Sequence, residues 1–165
     1  YATTFDKPYL LYEFEDGTKI YERIDAHALD SADMSDVIMQ YDHEGRVFAR
    51  QSNGTLVLQP DEKGLFIAAD LGKTDLARGL HQDIEAGMIT KMSWGFTVAE
   101  DSYDKLTHTR TILKIAKVYD VSAVSIPANG DTEISTRNAA SRSYEQEKQE
   151  RLERRVAILK LKAKL

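Results

Sequence analysis

The stretch Thr109 to Ile126 limits the fold more than any other part of the sequence. It is rich in β-branched Thr, Ile and Val, which pack well on a pleated surface, and Pro127-Ala128-Asn129-Gly130 ends it. It reads as one long bent strand or two successive ones, and such strands need a sheet around them. The preceding residues supply candidates. Tyr9 to Phe14 and Thr18 to Ile24 flank Glu15-Asp16-Gly17 as a hairpin. Asp25 to Asp36 is small and polar and suits a short helical turn. Val37 to Tyr41 is an apolar strand stopped by the turn residues Asp42-His43-Glu44-Gly45. Val47 to Ala49 and Leu56 to Leu58 read as strands joined through Ser52-Asn53-Gly54, and Leu65 to Ala69 reads as a buried strand. One helix interrupts the series: Leu76, Leu80 and Ile84 recur every four residues, Thr74 caps the start and Gly87 ends it. From Lys91 to Ala99 the alternation returns, with Met92, Trp94, Phe96 and Val98 on one face and Ser93, Gly95 and Thr97 on the other. The chain is therefore expected to be α+β and dominated by strands.

Charge divides the chain. From Asn138 onward eight Lys/Arg face four Glu, a balance of +4, so residues 1–137 carry −9 of the net −5. An acidic body gives nucleic acid no phosphate-binding surface. Ser141 to Leu165 has no Gly or Pro and gathers its apolar residues late, at Leu152, Val156, Ile158, Leu159, Leu161 and Leu165. Two parts are expected: a domain over 1–137 and a helical extension over 138–165. The final turns of that extension want a partner surface, either a second copy or the chain's own body. There are no cysteines, which excludes disulfides, thiolate metal sites and a thiol nucleophile. No apolar run approaches the roughly 20 residues of a membrane span, and no signal-peptide pattern is present. The first residue is Tyr1 rather than Met, which suits a fragment or a processed form.

Ser93 is the unusual serine, a small polar residue inside a strand of large apolar ones, with Gly95 removing a side chain where a substrate backbone would approach. It also reads as a serine on the solvated face of a half-buried strand. A hydroxyl nucleophile needs a base, and there are four histidines. His27 and His81 read as surface residues. His108 enters a strand after the loop Asp101 to Thr107. His43 stands where a strand breaks into a turn, a position that presents a side chain on a rigid frame. The histidines lack His-x-x-x-His spacing and the carboxylates are scattered, so neither metal nor cofactor is expected.

The ordered set Tyr21-Glu22-Arg23-Ile24, Ala28-Leu29, Asp42-His43, Gly45-Arg46, Lys63-Gly64-Leu65, Thr74, Glu85-Ala86-Gly87, Met92-Ser93-Trp94-Gly95-Phe96, Arg110-Thr111-Ile112, Tyr119-Asp120-Val121-Ser122 and Ile126-Pro127-Ala128 resembles the tailed-phage prohead proteases of the HK97 type, from about Tyr9 to Arg137. The resemblance implies a fold like that of the herpesvirus assembly proteases, a compact antiparallel β-barrel with flanking helices. It implies a serine endopeptidase that cleaves scaffold, the scaffold-like part of the major capsid protein and itself, inside the immature capsid in the bacterial cytoplasm. By position it makes Ser93 the nucleophile and His43 the base, although here Asp precedes the histidine rather than following it. Asp120 is the preferred third member and His108 the alternative, since the role needs only an acceptor that fixes the imidazole. The segment Pro127-Ala128-Asn129-Gly130 is a candidate to supply a backbone N–H oxyanion donor, from a residue other than the proline, whereas a cross-strand salt bridge accounts equally for Arg110. Independently of the resemblance, the late apolar stripe of residues 138–165 suits a docking or self-association element, or a helix folded back on the chain's own body. The rival reading is a non-catalytic, β-rich module that binds scaffold during capsid assembly.

Overall fold

A computed structural model describes residues 1–125 and 144–156. Nine strands and a first helix follow in order: β1 (Thr3–Thr4), β2 (Tyr9–Glu13), β3 (Lys19–Ile24), β4 (Ile38–Tyr41), β5 (Glu44–Arg50), β6 (Leu56–Pro60), β7 (Gly64–Ala69), α1 (Asp75–Glu85), β8 (Lys91–Asp104) and β9 (Thr109–Val124). A second helix, α2, covers 144–156.

The β-branched stretch forms a single strand, β9, and the sheet is built on it. β8 runs antiparallel along one edge of β9 from Lys91↔Val124 to Asp104↔Thr109. The other edge is shared end to end. β3 pairs with its first residues, Tyr21↔Thr109 to Ile24↔Ile112, and β4 with its last, Ile38↔Asp120 to Tyr41↔Ala123. Between them Asp33 bridges Lys117. Adding the hairpin partners β2 and β5 gives six strands, while β1, β7 and β6 form a separate three-stranded sheet.

The expected antiparallel barrel is not what forms. β3 and β4 both run parallel to β9, and among the described residues the ends of the sheet, β2 and β5, do not pair. Alternation identifies a strand but carries no information about which neighbour it meets or in which direction. The turn at Ser52-Asn53-Gly54 joins two strands as expected. It passes the chain from β5 in one sheet to β6 in the other.

β9 is buried almost continuously from Asp120 to Val124, the pattern of a strand covered on both faces. Ile112, Ile115, Val118 and Val121 join Ile24, Val37, Met39, Leu56, Leu65, Leu80 and Trp94 in one core. The helix starts as expected, with the Thr74 hydroxyl accepting from the Ala77 N–H at 3.1 Å, and Gly87 follows it at φ 73°. Its buried face is Ala77 and Leu80, however; Leu76 and Ile84 lie on its exposed flank. Asp25 to Asp36 holds successive short turns, with the Ala28 N–H donating to the Asp25 carbonyl and the Ala32 N–H to that of Leu29.

Helix α2 rests on two turns of the same chain. Tyr144 stacks on Phe14 at 4.7 Å and reaches Thr18 and Asp16 at 3.0 and 2.9 Å. Glu147 lies 3.5 Å from His108, and Glu150 accepts from Lys105 at 2.7 Å. The later apolar positions Ile158, Leu159, Leu161 and Leu165 lie outside the described residues.

Where β3 meets the start of β9, Glu22 and Arg110 are register partners and both are buried. Arg110 donates to Glu22 at 3.3 Å and to Asp101 at 2.7 Å, and the Tyr9 hydroxyl also donates to Glu22. Burial nevertheless pushes the Glu22 carboxyl above its ordinary value, with Tyr9 and Arg110 pulling the other way. Its stabilising contribution is therefore complete below the ordinary glutamate value and is lost as pH rises through the raised one. Replacing Glu22 with Gln removes that titration, together with the negative charge facing Arg110. The Tm difference between Glu22→Gln and the parent is expected to move in favour of the Gln form from about pH 4.5 to neutrality. A difference that stays flat contradicts the assigned cause.

Candidate active site

The site begins with an unusual turn. Tyr41 pairs with Glu44, so Asp42 and His43 are the two central residues of a tight hairpin, and both have positive φ, 48° and 60°. A two-residue hairpin needs this left-handed geometry because its twist then matches that of the strands. Glycine and asparagine adopt it most easily; Asp and His are the side chains that tolerate it next best. The turn is fastened to the end of β9. The Asp42 N–H donates to the Ala123 carbonyl at 3.0 Å. The Asp42 carboxylate accepts from the Ser125 N–H and hydroxyl, both at 2.9 Å.

Held this way, His43 places Nδ1 2.6 Å from Asp120 Oδ2, with only 11% and 12% of the two side chains exposed. A carboxylate only accepts, so Nδ1 carries the proton and Nε2 is the basic nitrogen of the neutral ring. Asp120 alternates with the core residue Val121 along β9, and Ser122 returns to the Asp120 face. The Ser122 hydroxyl, wholly buried, donates to the same Asp120 Oδ2 at 2.7 Å.

Ser93 joins this face from the other side. It is the register partner of Ser122, and Gly95 is the partner of Asp120. Directly opposed residues project from the same side of a sheet, so Ser93, Ser122 and Asp120 share one surface. Gly95 puts no side chain opposite the carboxylate. Trp94 points the other way, 7% exposed, and stacks on Phe96 at 4.4 Å. The expected alternation of β8 holds, with Met92, Trp94, Phe96 and Val98 all packed on the core, although the pairing with β9 does not stay regular past Gly95. There the register slips, Gly95 pairing with Asp120 but Phe96 with Val118, and Tyr119 bulges outward.

The other sequence candidates lie elsewhere. His108 precedes β9 at its opposite end, with Nδ1 3.0 Å from the Tyr103 hydroxyl. His27 and His81 are exposed beside Asp30 and Glu85. Arg110 is committed to Glu22 and Asp101. Pro127 to Gly130, the candidate oxyanion segment, lies outside the described residues. Among the described residues no three His, Asp or Glu side chains gather as metal ligands would. Sequence reasoning missed Ser122 and the Asp42 fastening. The first has a signal, an Asp-x-Ser pair that strand period places on one face; the second has none, since it depends on where β9 ends.

A histidine bonded through Nδ1 to a buried carboxylate, with a serine on the neighbouring strand, is an arrangement of the serine peptidase class. The chain matches the family model of the caudovirus prohead serine protease over residues 1–150. It belongs to that family and is a serine peptidase of capsid maturation. No curated protein and no solved structure matches the chain.

The Asp42 fastening is testable on its own. Asp42→Ala removes two hydrogen bonds and a side chain suited to positive φ, and is expected to cost about 2 kcal/mol of stability. Denaturant unfolding measures it; a loss close to zero means that the bonds to Ser125 do not hold the turn.

Proposed function

We propose that Ser93, His43 and Asp120 are the catalytic triad of this peptidase. The observation that carries the reading is the 2.6 Å bond from His43 to Asp120, formed on the sheet face that also bears Ser93. His43 Nε2 takes the Ser93 proton as Oγ attacks the scissile carbonyl, and Asp120 stabilises the imidazolium that results. The imidazolium then protonates the leaving amine. Water, activated by the same nitrogen, releases the acyl group and restores the serine. Backbone N–H groups, with Ala128, Asn129 and Gly130 of the Pro127–Gly130 segment the candidates, would hold the oxyanion. The substrates in this reading are scaffold polypeptides, the scaffold-like part of the major capsid protein and the enzyme itself. The place is the immature capsid in the bacterial cytoplasm, and no helix among the described residues is long and apolar enough to cross a membrane.

Purified enzyme mixed with its capsid protein tests the assignment. Ser93→Ala is expected to abolish cleavage, and Asp120→Asn to lower kcat by a factor on the order of 10³–10⁴ through the wrong imidazole tautomer. Undiminished cleavage by the Ala form would falsify the role given to Ser93.

The same reading divides the chain into a protease body over 1–137 and a helical extension over 138–165 that associates with a second copy. Its support is limited to α2, where Leu152 and Val156 stay 55% and 41% exposed while Tyr144 and Glu147 face the body. Leu152→Glu with Val156→Glu is expected to lower the mass seen in sedimentation without lowering Tm. An unchanged mass removes association through this face.

A further inference from the structure

We infer that Ser122 is a positioning residue of the peptidase: its buried hydroxyl fixes the Asp120 carboxylate in the orientation that His43 requires. The inference rests on the triad reading above. Three observations carry it. Ser122 Oγ donates to Asp120 at 2.7 Å, and it does so to Oδ2, the oxygen that also accepts from His43 Nδ1 at 2.6 Å. The side chain is wholly buried, so water does not replace this donor when it is lost. The position is also the register partner of Ser93 on one edge and of Gln40 on the other. Ser122 is thus held from both sides by backbone pairing, and its hydroxyl has a fixed origin.

The chemical consequence follows from how a carboxylate moves. Asp120 turns about two side-chain bonds, and a single bond from His43 leaves the second rotation soft. A second donor to the same oxygen removes that freedom and holds Oδ2 toward the imidazole. Ser122 does not take the place of the nucleophile. It is closed off from solvent, whereas Ser93 is only partly buried, so a polypeptide reaches one hydroxyl and not the other.

Labelling by a fluorophosphonate tests this without a peptide substrate. The probe's phosphorus bonds to the serine oxygen, fluoride leaves, and the serine proton passes to the base. Mass spectrometry locates the labelled residue, and Tm is recorded for every form. The parent is expected to label on Ser93, and Ser93→Ala not to label. Ser122→Ala is expected to label Ser93 roughly tenfold more slowly, the size of one lost bond to a charged acceptor. Ser122→Cys, close in volume and still a weak donor, is expected to recover part of that rate. In the Asp120→Asn background, Ser122→Ala should add almost nothing, because a residue acting through Asp120 has no further effect once that carboxylate is gone. An additive loss there, or parent-like labelling by Ser122→Ala, overturns the inference while leaving the triad intact. Label found on Ser122, or retained by Ser93→Ala, overturns the triad reading itself.

Discussion

Three strands share the two edges of β9, and the position of each site residue follows from that sharing. β4 runs parallel to β9, so it ends beside Ala123 and delivers its turn over the face that bears Asp120 and Ser122. β8 runs antiparallel and begins at the same end, so Ser93 arrives two residues after its first pair, Lys91↔Val124. The end of β4, the end of β9 and the start of β8 therefore converge. Had β4 been antiparallel, as in the expected barrel, its turn would emerge at the far end of the pairing, and His43 would be carried away from Asp120. The mixed sheet is thus a condition for the site.

Convergence alone does not orient an imidazole. The turn that carries His43 holds two non-glycine residues at positive φ, each costing on the order of 1 kcal/mol relative to an extended or helical conformation. Gly-rich or Asn-Gly turns would form the same hairpin with less strain, but they would carry no imidazole. The strain is offset close by, through the bonds from Asp42 to Ala123 and Ser125, and through the His43 bond to Asp120. Asp at the first turn position has two uses: it accepts the left-handed backbone, and its carboxylate ties the turn to β9. That accounts for an order in which Asp precedes the histidine.

Much of this was legible in the sequence. β-branched residues marked β9, the Thr74 cap and Gly87 marked α1, and Asp42 to Gly45 marked the turn. The pair His43 and Asp120, 77 residues apart, came from resemblance and meets in space. What was illegible was pairing. Backbone hydrogen bonds are the same whichever strands share them, so nothing in β3 or β4 announces a parallel partner. The register slip at Gly95 was equally hidden, because one extra residue on β9 leaves the apolar pattern of β8 unchanged. Ser122 belongs to the run Tyr119-Asp120-Val121-Ser122, yet its bond to Asp120 depends on a rotamer that sequence spacing does not specify.

The far end of β9 is built from different interactions. There the sheet buries an ion pair, Glu22 with Arg110, in direct register across β3 and β9. A buried pair of this kind adds little net stability, since desolvation cancels much of the attraction, but a one-residue slip of β3 would strand both charges. It therefore fixes the register of a parallel pairing that has no hairpin turn to define it. His108, beside this pair in sequence, is occupied by Tyr103 and covered by Tyr144 and Glu147 of α2. Charges at that end are matched to one another, the Glu22–Arg110 pair within the core and Lys105–Glu150 at the surface. At the other end His43 and Asp120 pair on the face where β8 sets Ser93 opposite Ser122 and Gly95 opposite Asp120.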